Sequence, residues 1–141
     1  MHQVARQALP DHQLLFLPGV FNETLSLLFD AQQYFHTRGA EEQAQIEQQQ
    51  RLVYASEMSR VTLRLTSAMA WLMVRRAVYV GRIDEEQASS EYRLNAQDVC
   101  SIHQEEQLKE MPSYLTYLSE RSLNLYERIQ RLDEMAYGTE H

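Results

Sequence analysis

Residues 54–81, YASEMSRVTLRLTSAMAWLMVRRAVYVG, show the clearest periodicity in the chain. The apolar residues of this stretch recur at alternating steps of four and three, and Arg75 is the one polar interruption. Such a seam, sustained over three heptads, predicts an amphipathic helix that packs against other helices. Gly81 stands where a glycine commonly ends a helix. The seam consists of Tyr54, Met58, Val61, Leu65, Ala68, Leu72 and Tyr79.

The residues that follow predict two more helices. Asp84 can cap a third helix, with Gln87 placed three residues on as in a capping box. Pro112 begins a fourth helix and Gly138 ends it. Both segments repeat the seven-residue spacing, so we expect long antiparallel neighbours. The third seam is Ala88, Tyr92, Asn95, Val99 and Ile102; the fourth is Leu115, Leu118, Ser122, Leu125, Ile129, Leu132 and Ala136.

The N-terminal side is less regular. Residues 1–20 carry Pro10, Pro18 and Gly19, which predicts a flexible arm whose apolar residues 14–17 dock on the bundle. A first helix is expected from a cap at Asn22 to Arg38-Gly39. Residues 41–50 are helix-prone but polar, so they form either a solvated helix start or a mobile connection.

The predicted fold is all-α: an antiparallel bundle of three long helices with a shorter N-terminal helix. It occupies residues 21–137 as a single domain, after the arm at 1–20 and before a short tail at 138–141. Between residues 51 and 82 there are six arginines and one acid, whereas residues 84–110 hold eight acids. Folding the third helix back on the second therefore predicts two sets of ion pairs. They are Arg60 with Glu105 and Glu106, and Arg64 with Asp98.

Helix length raises the question of assembly. One helix over residues 41–80 would run about 60 Å at ~1.5 Å per residue. A compact domain of this size is shorter, with a diameter of roughly 40 Å. Either the helix begins near Arg51, or its excess length packs against a second copy. We favour a homodimer.

Composition narrows the function classes. The chain has 141 residues, four glycines and three prolines, which suits a few long helices better than a sheet fold. A formal charge of −7 disfavours nucleic acid and anionic membrane as partners. The single cysteine fits a reducing compartment, and no run reaches the ~18 apolar residues of a membrane span. We expect a cytoplasmic protein.

The sequence holds no motif for catalysis, a cofactor or a metal. It has no glycine-rich phosphate loop and no nucleophile elbow. Cys100 and His103 have the spacing of half a zinc site, but a second pair of ligands is missing. Since Cys100 follows Val99 of the predicted seam, it is more simply a residue on the helix flank. We predict that the protein is not an enzyme.

Two surfaces remain as candidates for protein binding. One is a stripe of the second helix, comprising Arg60, Arg64, Trp71 and Arg75 at helical spacing; the other comprises Tyr114, Tyr117 and Arg121. Arginine, tryptophan and tyrosine are favoured as anchors of protein interfaces. The alternative is that these residues pack inside the bundle and pair with acids of the third helix.

Three segments together resemble a known family. They are residues 21–35 (FNETLSLLFDAQQYF), 56–81 (SEMSRVTLRLTSAMAWLMVRRAVYVG) and 111–133 (MPSYLTYLSERSLNLYERIQRLD). The pattern Glu-Met-x-Arg-x-Thr…Ala-x-Ala-Trp-Leu in the second segment is the most specific. The chain is similar to the alphaproteobacterial regulators of CtrA degradation, the RcdA family, also described as a domain of unknown function.

The resemblance implies a non-enzymatic, dimeric helical adaptor that promotes proteolysis of cell-cycle proteins by ClpXP. Its implied partners are ClpX primed by a single-domain response regulator, protein substrates, and a second adaptor that binds cyclic-di-GMP. Members of the family can carry a long flexible C-terminal tail, whereas only residues 138–141 follow the last helix here. The resemblance therefore leaves open whether the short tail supports delivery of substrates.

Overall fold

In a computed structural model, residues 11–138 are described, with side chains from residue 18 onwards. Throughout this part of the chain the regular structure is helical, as predicted. The helices are α1 (Asp11–His36), α2 (Arg38–Gln45), α3 (Gln48–Tyr79), α4 (Glu85–Glu91), α5 (Gln97–Cys100), α6 (Glu105–Leu108) and α7 (Ser113–Tyr137). None of them is long and apolar enough to cross a lipid bilayer.

Three long helices, α1, α3 and α7, form the bundle. The α3 seam packs against the α7 seam. Leu65, in the middle of the α3 seam, and Leu125, in the middle of the α7 seam, are both fully buried. Arg64 contacts Ser122, and Trp71, further along α3, contacts Asp133, further along α7. The two helices α3 and α7 therefore run parallel. Helix α1 runs antiparallel to both of them. The all-α bundle predicted from the heptads is confirmed.

Helix α1 differs from its prediction. It is 26 residues long, one residue longer than α7, and it begins at Asp11 instead of Asn22. Pro18 and Gly19 lie within it, although the sequence suggested a flexible arm. Residues 1–10 of the predicted arm (1–20) and residues 139–141 of the predicted tail (138–141) lie outside the described residues.

The close packing of α2 against Tyr34 and Tyr54 explains why residue 39 is glycine. This glycine does not end a helix but lies in α2, and a Cβ atom there would come within 2.7 Å of the Tyr54 hydroxyl and 2.8 Å of the Tyr34 carbonyl. The contact therefore requires glycine. Helix α2 ends before Glu47, and its last carbonyls accept from the Arg51 guanidinium, which lies 2.8 Å from the Ala44 oxygen.

Helix α3 begins at Gln48 and spans 32 residues, about 48 Å at ~1.5 Å per residue. The continuous helix over 41–80, on which the length argument for a dimer rested, is not present. A glycine follows the end of helix α3, as predicted. Gly81 has a φ of 86°, and the Arg82 amide donates to the Ala77 carbonyl at 2.8 Å.

The third long helix is the main error of the sequence prediction. Residues 84–110 form three short helices, α4 to α6, joined by turns. Asp84 caps α4 as predicted, accepting from the Gln87 amide at 2.7 Å. Beyond α4 the predicted seam fails, because Tyr92, Val99 and Ile102 are each about 40% exposed.

Candidate protein-contact surface

The arginine stripe of α3 lies inside the protein. Arg60, Arg64, Trp71 and Arg75 are between 0% and 9% exposed. These residues therefore do not form a solvent-facing contact surface. They pack inside the bundle, as the alternative prediction had it. The physical reason is that they face residues 84–108 and α7, whose oxygen atoms surround them.

Arg64 is the centre of the first buried network. Its Nε donates to the Cys100 carbonyl at 2.8 Å and its Nη2 to the Ile102 carbonyl at 2.6 Å. Its Nη1 lies 3.1 Å from both the Ser119 carbonyl and the Ser122 hydroxyl. The predicted pair with Asp98 is therefore wrong. Arg64 instead binds backbone oxygens that the broken third segment leaves without helical partners.

Glu57 neutralises part of this buried positive charge. It is 1% exposed, lies 2.6 Å from Arg60 and 3.4 Å from Arg64, and accepts from the Ser119 hydroxyl. Arg60 reaches Gln104 at 3.5 Å and does not pair with Glu105 or Glu106 as predicted. Sequence reasoning missed Glu57 as a site residue, although it is the one acid among six arginines between residues 51 and 82.

Arg75 and Trp71 belong to a second network at the other end of α3. Arg75 pairs with Glu85 at 3.1 Å and also donates to the Tyr137 hydroxyl. The Trp71 indole donates to buried Asp133 at 2.8 Å, and Arg93 pairs with the same carboxylate at 3.0 Å. These bonds join α3, the start of α4 and the end of α7.

The second predicted surface is accessible. Tyr117 is 41% exposed, Tyr114 is half-buried, and the side chain of Arg121 is 43% exposed. The Tyr114 and Tyr117 ring centroids lie 5.3 Å apart, and Arg121 donates to the Tyr117 hydroxyl at 2.9 Å. Arg121 also reaches Glu23 of α1 at 3.4 Å, so it is held at the junction of two helices.

Arg38 of α2 extends this surface, and Tyr34 of α1, which is 4% exposed, supports it from within the core. The Tyr34 ring lies 4.9 Å from that of Tyr114, and the Arg38 guanidinium covers both rings. We name Tyr34, Arg38, Tyr114, Tyr117 and Arg121 the tyrosine–arginine face. The sequence prediction missed Tyr34 and Arg38, whose four-residue spacing was the available signal.

The half zinc site is not assembled. The Cys100 side chain is fully buried, whereas His103 is exposed and lies 4.0 Å from Glu105. Burial raises the pKa of the Cys100 thiol, which lowers its reactivity. Within residues 18–138 no group of three or more potential ligand residues could hold a metal ion.

Comparison with known proteins places the chain in a family. A family model described as a protein of unknown function (DUF1465) matches residues 13–141. The chain belongs to the DUF1465 family. The crystal structure of RcdA from Caulobacter crescentus is similar, with a TM-score of 0.72 and 29% identity over 89% of this chain and 93% of that chain. No match was found among curated protein sequences. The predicted resemblance to the RcdA family is confirmed.

Proposed function

We propose that this protein is a non-enzymatic cytoplasmic adaptor that promotes regulated proteolysis of cell-cycle proteins by ClpXP. The observation that carries the proposal is the similarity to RcdA, which extends over 89% of the chain at 29% identity. An adaptor acts by binding, because joining a substrate to an unfoldase raises its local concentration there.

The arrangement of charged residues supports a binding role. Arg60, Arg64 and Arg75 of α3 are engaged in buried networks that hold the bundle together. The tyrosine–arginine face, in contrast, combines aromatic rings and guanidinium groups at an accessible junction of three helices. Aromatic residues and arginine dominate the energetics of protein interfaces. This face is our candidate contact surface for a partner.

The proposed partners are ClpX primed by a single-domain response regulator, protein substrates, and a cyclic-di-GMP-binding adaptor. The test is a pull-down with the full chain from a native cell extract, probed for ClpX and for the response regulator. It is followed by a degradation assay with purified ClpXP and the proteins recovered. We expect ClpX to be recovered and degradation to accelerate when the chain is added.

The alternative is a dimeric helical scaffold with another regulatory protein partner. It predicts recovery of that partner without ClpX, and degradation rates that do not depend on the chain. This result would contradict the adaptor proposal. An unrelated helical bundle of similar charge serves as the control for non-specific capture.

A homodimer remains part of the proposal, on grounds other than helix length. Leu25 and Phe29 lie one turn apart on the outer side of α1 and are 53% and 61% exposed. This pair is our candidate contact between the two copies, because contiguous exposed apolar side chains mark interaction sites more often than isolated ones do. Light scattering at micromolar concentration should give about 33 kDa, twice the 16.6 kDa chain mass. Phe29→Glu should lower this mass, and a wild-type mass of about 17 kDa would contradict the dimer.

A further inference from the structure

Two tyrosine rings restrain the guanidinium group of Arg38, but its hydrogen-bonding capacity is only partly used. The guanidinium carbon lies 5.3 Å from the Tyr34 ring centroid and 4.8 Å from that of Tyr114. The side chain is 58% exposed, and its Nε lies 3.7 Å from a Glu42 oxygen. Its two terminal nitrogens donate no hydrogen bond to any residue that the structure describes. Four N–H groups are therefore available on a side chain that two rings already restrain.

The neighbouring tyrosines add further donors. The Tyr117 hydroxyl accepts from Arg121 at 2.9 Å, which leaves its own proton free to donate. The Tyr114 hydroxyl has no hydrogen-bond partner within residues 18–138. A tyrosine hydroxyl keeps its proton at neutral pH, and burial and the charge of Asp30 raise the pKa of Tyr114 further. The Arg38 terminal nitrogens and the two tyrosine hydroxyls therefore offer unused donors, beside the carboxylates of Glu42 and Glu23 that border the face.

A carboxylate is the group that such a face fits best. The guanidinium fork donates two parallel hydrogen bonds to a carboxylate, and stacking on the rings reduces the conformational entropy lost on binding. Exposed ring surface beside the fork can contact the apolar part of the same ligand. A polyanion is disfavoured, because a chain of net charge −7 repels many charges more than one or two.

We propose that the tyrosine–arginine face binds a peptide segment of another protein through an Asp or Glu carboxylate held by Arg38 and Tyr117. This inference rests on the proposed adaptor function, since it names the chemistry of a segment that an adaptor could capture. Arg38 and Tyr117 are exposed and lie outside the buried networks, so these two residues can change without loss of the fold.

The test selects peptides from a random dodecapeptide phage library on the purified full-length chain. Affinities of the selected peptides are then measured by fluorescence anisotropy. We expect enrichment of Asp and Glu, and at least tenfold weaker binding by Arg38→Ala. Tyr117→Phe, which removes a single donor, should weaken binding a few-fold.

Two matched variants control for charge and aromatic content. Arg131→Ala removes an exposed arginine of α7, and Tyr79→Phe alters a tyrosine that is 72% exposed. Both should bind the selected peptides as the wild type does. Replacing the peptide carboxylate by its amide should weaken wild-type binding as much as Arg38→Ala does, with no further loss when both changes are combined.

Three results would overturn the proposal. The first is selection of peptides without carboxylates, and the second is an equal loss of affinity in Arg131→Ala. The third is conversion of a dimer to a monomer by Arg38→Ala, which would make the face an interface between copies. Because the selection uses neither ClpX nor the response regulator, its outcome is independent of the degradation assay.

Discussion

Replacing Arg64 by methionine tests the buried network of α3 most directly. Methionine keeps much of the apolar stem but removes the guanidinium group, which is fully buried. The backbone oxygens of Cys100 and Ile102 then lose their donor, and Ser119 loses another. A buried polar group left unpaired costs about 1–3 kcal/mol, and the three losses are not additive because the segment can relax.

The expected destabilisation is about 3–5 kcal/mol, the range for breaking a buried ion pair. This is a large part of the ~5–15 kcal/mol by which a domain is stable. It is measured by urea unfolding followed by circular dichroism. With a slope of ~2 kcal/mol per molar urea, the midpoint should fall by roughly 2 M.

Two further variants separate charge from geometry. Arg64→Lys keeps the positive charge for Glu57 but lacks the planar fork, so it cannot reach all the carbonyls and should lose a large part of the same stability. Arg131→Met, on the exposed side of α7, should stay within about 0.5 kcal/mol of the wild type. A loss below ~1 kcal/mol for Arg64→Met would refute the role assigned to the network.

The remaining predictions concern the core, the thiol and acid stability. Leu125→Ala should cost about 2–5 kcal/mol through lost burial and a residual cavity, whereas Leu52→Ala, at 75% exposure, should cost under ~0.5 kcal/mol; equal urea midpoints would show that α7 is misplaced. Cys100 should stay unreactive towards a thiol reagent at pH 8 until urea unfolds the chain, and rapid labelling of the folded protein would contradict its burial. Partial burial raises the pKa of Glu23, but hydrogen bonds and charges from Arg128 and Arg121 outweigh burial and hold this pKa below 4.5. Because a lowered carboxyl pKa stabilises the fold above the unfolded value and loses that effect as pH falls through the folded value, Glu23→Gln should lower the melting temperature at pH 7 and converge with the wild type in acid.

The long helices could be predicted from the sequence because their signals are local. The seam around Leu65 specifies its own period, and Gly81 and Pro112 mark boundaries through their backbone preferences. The charge asymmetry correctly brought residues 84–110 onto α3. It did not identify the hydrogen-bond partners of Arg64. The prediction assumed an ion pair between side chains, whereas Arg64 binds backbone oxygens.

The break in the third segment could not be predicted, because its causes lie elsewhere in the chain. The Asn95 carbonyl accepts from the Tyr126 hydroxyl at 2.6 Å, and the Leu94 amide donates to Asp133 at 3.4 Å. Ala96, the next residue, adopts a left-handed φ of 60°. Tertiary hydrogen bonds thus replace helical ones, and heptad spacing carries no record of them.

Sequence also predicted the candidate surface only in part. The spacing of Tyr114, Tyr117 and Arg121 identified the α7 contribution, since these residues share one side of a helix. Arg38 and Tyr34 lie about 80 residues away and join them only through the packing of α1 on α7. The preference of interfaces for arginine and aromatic residues also led to a wrong prediction for Trp71. Its indole donates a hydrogen bond to the buried carboxylate of Asp133 and does not face a partner. Residue type indicates an anchor, but it does not say whether the partner is internal.

The irregular segment between α3 and α7 has a consequence for the order of folding. Its backbone groups bond to Arg64 of α3 and to Tyr126 and Asp133 of α7, so it lacks its partners until those two helices have docked. The transition state for folding is therefore expected to contain the long helices with this segment still unformed. Mutations that weaken these contacts should accelerate unfolding while leaving the folding rate nearly unchanged. The time for which the native state persists is then set by how long three side chains retain the chain segment between residues 94 and 102.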